Sequence, residues 1–256
     1  MSRTFRNIAA VASKELRGYF VSPVAWVMLG LFAFIFGWFF TVYLNVFNQQ
    51  SLQGGGGQPI NVNMMLIRPL LSNASVLVLF LLPMITMRTY SEEKRSGTIE
   101  LLLTSPITDW EIIVGKFLGA LTLFAAMLGV TVVHMALLFM FGTPEWKPIA
   151  TGYLGLLLMG GSFLSLGLFI SSLTRNQIVA GMITFSVFLL LWVINWVSTF
   201  VGPTAQTVLN YLSITEHFDD FAKGIIDTKH VVYYLSFIAM GLFLTMKSVD
   251  SERWRG

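Results

Sequence analysis

The stretch PVAWVMLGLFAFIFGWFFTVYLNVF, residues 23–47, carries no charged side chain from end to end. A helix rises about 1.5 Å per residue, so roughly 20 apolar residues cross the hydrocarbon of a bilayer. This run is long enough, and the charge-free gap around it extends from Arg17 to Arg68. Charges near the bilayer centre cost several kcal/mol each, so the remaining charge-free gaps locate the other spans. They predict helices over Pro69–Met87, Phe117–Phe141, Ile149–Leu173, Ile178–Val201 and Val231–Met246. The sixth is short, but Lys247 ends it with a stem that can snorkel.

Composition agrees. Of 256 residues, 55% are hydrophobic and 11% charged, against about 25% charged in an ordinary soluble domain. The expected fold is an all-α membrane protein with six transmembrane helices in a single domain over residues 1–256. The net charge of +3 comes from bases scattered through the connections, which suits membrane orientation better than a nucleic-acid footprint, so no nucleic-acid partner is expected. With the amino terminus inside, Arg3, Arg6, Lys14, Arg17, Arg88, Lys94, Arg95, Lys116, Arg175, Lys247, Arg253 and Arg255 fall on the cytoplasmic side. Arg68, Lys147, Lys223 and Lys229 fall outside, a bias of twelve to four. Both termini are therefore expected in the cytoplasm, with the chain multi-pass in a bacterial inner membrane. Residues 1–20 do not read as a cleaved signal peptide. The absence of cysteine excludes disulfides and thiol chemistry.

Three connecting segments are long enough for other work. In residues 1–22, Phe5, Ile8, Ala12, Leu16 and Tyr19 share one helical face, with Arg3, Arg6, Lys14 and Arg17 roughly opposite. That pattern predicts an interfacial helix in the inner headgroup layer, acting as an anchor or contacting a partner. The inner loop, residues 88–116, crowds its charges into Arg88, Glu92, Glu93, Lys94 and Arg95. Gly97 suits a left-handed turn, Thr98 a helix cap, and Ile99, Leu101, Leu102 and Leu103 a short apolar helix broken at Ser105-Pro106. Thr108 and Glu111 are spaced as a capping box for the third span. The loop reads as a docking element or as a helix resting on lipid. The outer segment, residues 202–230, places Ile214, Phe218, Phe221 and Ile225 on one face and Glu216, Asp220 and Lys223 on the other. It is either a cover for the bundle or a lid or platform for an outer partner.

Glu92-Glu93, Arg95, Gly97-Thr98, Glu100-Leu101-Leu102-Leu103, Ser105-Pro106 and Gly115-Lys116 closely resemble the inner loop of type-2 ABC exporter permeases. The resemblance implies that residues 88–116 form a coupling helix docking on a separate ABC ATPase. It also implies a second permease half, as a homo- or heterodimer. His217-Phe218, Phe221, Gly224, Asp227 and Tyr233-Tyr234 resemble the gliding-motility-type branch, which implies a membrane companion with a large outer domain. ATP and magnesium would belong to the ATPase, and no cofactor or metal is expected here. The chain has no Gly-x4-Gly-Lys-Ser/Thr loop, and Gly54 to Gly57 follow no strand, so it is expected not to be an enzyme. His134 and Asn195 are polar residues inside spans, read either as a substrate path or as interhelical hydrogen bonds. Gly161 with Ser165 and Gly167 with Ser171 allow close helix contact, within the chain or across a dimer. The functional reading is a permease subunit coupling ATP hydrolysis to export. The alternative is a subunit that passes the stroke to an outer-domain partner without moving cargo. A membrane-embedded enzyme finds no support, since His134, His217 and His230 fall in separate segments.

Overall fold

A computed structural model describes residues 3–53, 61–103 and 106–253, with the backbone alone for 53, 101–103 and 253. The described residues form helices α1 (Arg3–Val21), α2 (Pro23–Gln53), α3 (Arg68–Thr86), α4 (Ser91–Ser96), α5 (Thr98–Leu103), α6 (Asp109–Phe141), α7 (Trp146–Leu173), α8 (Gln177–Ser198), α9 (Pro203–Leu212), α10 (Ile214–Ala222) and α11 (Thr228–Arg253). A π-helical turn, Asn63–Ile67, leads into α3. Six of the helical stretches are long and apolar enough to cross a membrane, so the chain is an all-α, six-span protein.

The spans run longer than the charge gaps suggested. Helix α6 begins at Asp109 rather than Phe117, because Thr108 and Glu111 form the expected capping box. Helix α11 runs from Thr228 to Arg253, past both ends of Val231–Met246. Hydropathy marks where lipid ends, whereas the backbone ladder continues until a cap or breaker stops it. The fifth span stops short of Val201, at Ser198, and starts where the Asn176 side chain accepts from the N–H groups of Ile178 and Val179.

Helix α7 is the most enclosed of the six and packs against α11, α3, α10, α6 and α8. Its small residues permit this. A Cβ on Gly155 would lie 2.7 Å from Phe221 Cβ, and Gly161 faces Ile238. Ser162 Oγ donates to the Tyr234 carbonyl at 3.2 Å and Ser165 Oγ to that of Phe237 at 3.4 Å. Gly167 lies against Thr86. Gly161, Ser165, Gly167 and Ser171 thus all make close contacts within the chain.

Two amphipathic segments depart from expectation. Helix α1 lies along α6 and α2, with Val11 seated over Gly115 and Glu15 and Ala12 over Gly119. Its packed face turns toward Val11 and Glu15, leaving Phe5 53% exposed. The segment at the opposite end is two helices, not one. Helix α10 ends at Lys223, and Gly224 adopts φ +92°, a left-handed conformation that is cheap only for glycine. That turn carries Ile225 off the stripe, and it is 52% exposed.

Candidate functional site

Of the residues singled out in the inner loop, Glu93 and Lys116 meet at a joint between α1, α4 and α6, where Lys116 is a buried cation. Lys116, about two turns into α6, is 1% exposed. Its Nζ lies 2.8 Å from Glu15 Oε1 of α1 and 2.9 Å from Glu93 Oε1 of α4, and donates to the Thr89 carbonyl at 3.0 Å. The Tyr90 ring faces it, 5.0 Å from the nitrogen. A buried charge is tolerated only when paired and hydrogen-bonded, and Lys116 is both.

The same joint is held from three other directions. Ser171 Oγ on α7 accepts from the backbone N–H of Tyr90 at 3.1 Å and of Ser91 at 3.2 Å. It also lies 3.2 Å from the Met87 carbonyl. Lys94 of α4 pairs with Glu252 of α11 at 2.6 Å. Tyr19 of α1 donates to the Ile85 carbonyl at 3.3 Å. Burial pushes the Tyr19 hydroxyl above the ordinary phenol value, which keeps it a donor. The chain between α3 and α4 leaves the helical ladder here, and side chains from α6 and α7 bond its carbonyls or amides, while Tyr19 of α1 bonds the end of α3. A recess of about 220 Å³ opens beside the joint, lined by Lys14, Glu15, Tyr19, Arg88, Glu92 and Glu93 among others.

Beyond the joint, Gly97 takes φ +73° and ends α4 as expected. Thr98 is the first residue of α5 rather than its cap, and its Oγ1 lies 2.9 Å from Ser96 Oγ. Arg95, Thr98, Glu100 and Pro106 are exposed. The side chains of Leu101, Leu102 and Leu103, and Ser105 altogether, lie outside the described residues. The backbone of α5 packs mainly on α4. It is a short helix, with Thr98 and Glu100 exposed and Ile99 partly buried, on a stem keyed into α1, α6, α7 and α11.

Gly115 and Lys116, adjacent in sequence, have separate tasks. A Cβ on Gly115 would come 2.6 Å from Val11 Cβ, so the glycine admits α1. Lys116 then ties α1 to α4. Sequence reasoning passed over Glu15, Ser171 and Glu252 as partners. Glu15 had a signal: it is the lone acid in a basic amino-terminal segment.

At the opposite end, His217, Phe218 and Phe221 are buried in the chain itself. Phe218 and Phe221 close over Gly155 of α7, and Thr151 Oγ1 donates to the Phe221 carbonyl at 2.7 Å. Of the two readings of this stripe, bundle cover or lid and platform, its packing on α7 is that of a cover. Gly224 turns against Pro148, and Asp227 pairs with Lys229 at 3.1 Å. His134 on α6 sits edge-on to Phe36 and Phe40, at 5.4 and 5.2 Å, with Nδ1 enclosed and unpartnered. Asn195 lies half-buried on α8, which packs on α7, α9 and α3. His134 and Asn195 belong to helices with largely different neighbours.

Two proteins of similar sequence are the probable multidrug ABC transporter permeases YbhR of Escherichia coli K12 and of Escherichia coli O157:H7. Each is 29% identical over 148 residues, covering 55% of this chain and 38% of the relative. The match therefore spans about two fifths of those relatives' length. The family model for ABC-2 family transporter proteins matches residues 9–247, from within α1 to near the end of α11. With six spans and a match over nearly its whole length, the chain belongs to the ABC-2 transporter family, as a transmembrane ABC transporter subunit.

Proposed function

We propose that this permease subunit couples ATP hydrolysis on a separate ATPase chain to export, and that Thr98–Leu103 is the element through which the stroke enters. The observation that carries the reading is the joint at Lys116. A short helix whose Thr98 and Glu100 are exposed is joined through Gly97 to a stem held by four other helices. Displacing α5 would load α1, α6, α7 and α11 together. ATP binding closes an ATPase pair, and a coupling element that docks differently in the two states biases the bundle between two arrangements. In this reading the amino-terminal end faces the cytoplasm of a bacterial inner membrane, the orientation the basic bias supports. A second permease half completes the complex, and magnesium-ATP is bound by the partner. The multidrug role named for the relatives makes amphipathic small molecules the first cargo class to assay.

Leu102→Asp and Glu100→Lys test the docking. An unpaired charge buried in an interface costs several kcal/mol, so Leu102→Asp should abolish ATPase co-purification and stimulated turnover at normal membrane levels. Glu100→Lys should weaken both, more at low salt than at high. Wild-type ATPase binding and turnover with Leu102→Asp would refute the assignment. Cargo flux measured in vesicles of the assembled complex separates export from a stroke delivered to an outer-domain companion.

A further inference from the structure

At the opposite end, His217 of α10 and His230 at the start of α11 are both buried and face each other Nδ1 to Nδ1 at 2.6 Å. The other nitrogen of His217 lies 3.0 Å from the Tyr211 carbonyl near the end of α9. The other nitrogen of His230 lies 2.9 Å from Asp220 Oδ2. The rings stand in series between a carbonyl and a carboxylate. Tyr233 stacks on His217 at 3.8 Å between centroids, and its hydroxyl donates to the Leu212 carbonyl at 2.8 Å.

Each of the three contacts needs one proton. A carbonyl and a carboxylate only accept, and two bare ring nitrogens at hydrogen-bond distance repel. Two neutral imidazoles bring two N–H groups, so one contact always fails. One additional proton brings three, and every contact is made. A second additional proton sets two N–H groups head to head. Asp220 does not supply the missing proton, because the hydrogen bond from His230 holds its carboxyl below the usual range. Burial pushes the His217 ring below the ordinary histidine value, so the extra proton is held by the three contacts of the pair together and not by that ring alone.

We propose that His217 and His230 form a proton-dependent latch that ties α9 and α10 to the start of α11 while the pair holds one extra proton, and that releases them as the pH rises. The charged groups that neighbouring elements bring to the pair are paired with one another, and Glu216 beside His217 is exposed. Asp219 meets Arg68 and Lys223 at 2.6 and 2.5 Å, Lys223 also meets Asp220 at 3.1 Å, and Asp227 meets Lys229. Helix α7 presents Thr151 and Gly155 to α10, α8 has no charged residue, and the nearby tyrosines are Tyr211, Tyr233 and Tyr234. The seated segment holds the proton and the released segment does not need it, so seating is complete with the proton bound and lost as pH rises. The inference stands apart from the transport reading, since it needs neither ATP nor cargo.

The chain has three histidines, so nitrogen NMR of the full chain, labelled at histidine and held in lipid nanodiscs, resolves each ring. Between about pH 5.5 and 8.5, where histidines change charge, one neutral ring and one imidazolium should give way together to two neutral rings. Hydrogen exchange in residues 203–227 should then rise about tenfold relative to α7, the loss expected for one charge-assisted hydrogen bond. Asp220→Asn supplies the decisive arm. Its amide can donate to a bare His230 Nε2, so two neutral rings then satisfy all three contacts, and exchange should become independent of pH. The latch is overturned if the rings titrate independently, if exchange in the wild-type segment tracks α7 throughout, or if Asp220→Asn keeps the wild-type dependence.

Discussion

Replacing Lys116 by Met removes the cation at the centre of the joint and keeps most of its apolar stem. The two carboxylate oxygens now held within 2.9 Å of Nζ would be no more than about 6 Å apart, and repel by about 3 kcal/mol at an effective dielectric of 20. The Thr89 carbonyl would also lose its donor. Glu15 and Glu93 keep 15% and 16% of their side-chain surface, so water returns to them only in part. Lys14, 3.6 Å from Glu93, offers weak compensation. Removing one partner of a buried pair typically costs about 3–5 kcal/mol, and that is the expected loss. The assay is unfolding of the purified chain in mixed micelles by titration with denaturing detergent. Combining Lys116→Met with Glu15→Gln and Glu93→Gln should recover much of the loss, because no unpaired charge remains. A loss under about 1 kcal/mol for Lys116→Met, or no recovery in the triple variant, would refute the joint.

Phe218→Asp should destabilise the chain by several kcal/mol and lower its membrane level, since the site is enclosed against α7; normal unfolding would show that the stripe is not core. Gly97→Val forces a β-branched residue into φ +73°, costing about 1–2 kcal/mol. It should reduce ATPase stimulation more than membrane level, as a comparison of turnover with immunoblots would reveal. Gly115→Leu should displace α1, because even a Cβ meets Val11 at 2.6 Å; a spin-label pair on α1 and α6 reads the separation. Burial alone would raise the Asp219 carboxyl, but the hydrogen bonds and charges of Lys223 and Arg68 outweigh it and lower its value. That stabilisation is present above the ordinary carboxylate range and lost as pH falls through the lowered value. Acid unfolding of Asp219→Asn should lack that limb.

The parts legible from sequence are those governed by one residue's own energetics. A charge cannot sit in hydrocarbon, so the gaps between charges placed six spans. Gly97 and the Thr108–Glu111 box were readable because a left-handed turn and a capping box are local chemistry. The reading of α1 turned its face by part of a turn, because periodicity counts apolar residues and cannot foresee that Glu15 would be drawn inward by Lys116. Thr98 was misjudged for a similar reason, since capping depends on where Gly97 sends the backbone.

What the sequence determined by itself is the solvent: a chain this apolar, with these charge gaps, had to become a helical membrane bundle, because unpaired backbone groups and charges are costly in lipid. Its bases also carry the orientation signal. Only the tertiary structure decided which charges meet. Lys116 lies far from Glu15 in the chain and near it in space, and His217 and His230 fall on different helices. It also decided that the stripe of Phe218 and Phe221 faces inward, onto Gly155. An amphipathic pattern specifies that a face will be covered. What covers it depends on which helix, elsewhere in the chain, has left room.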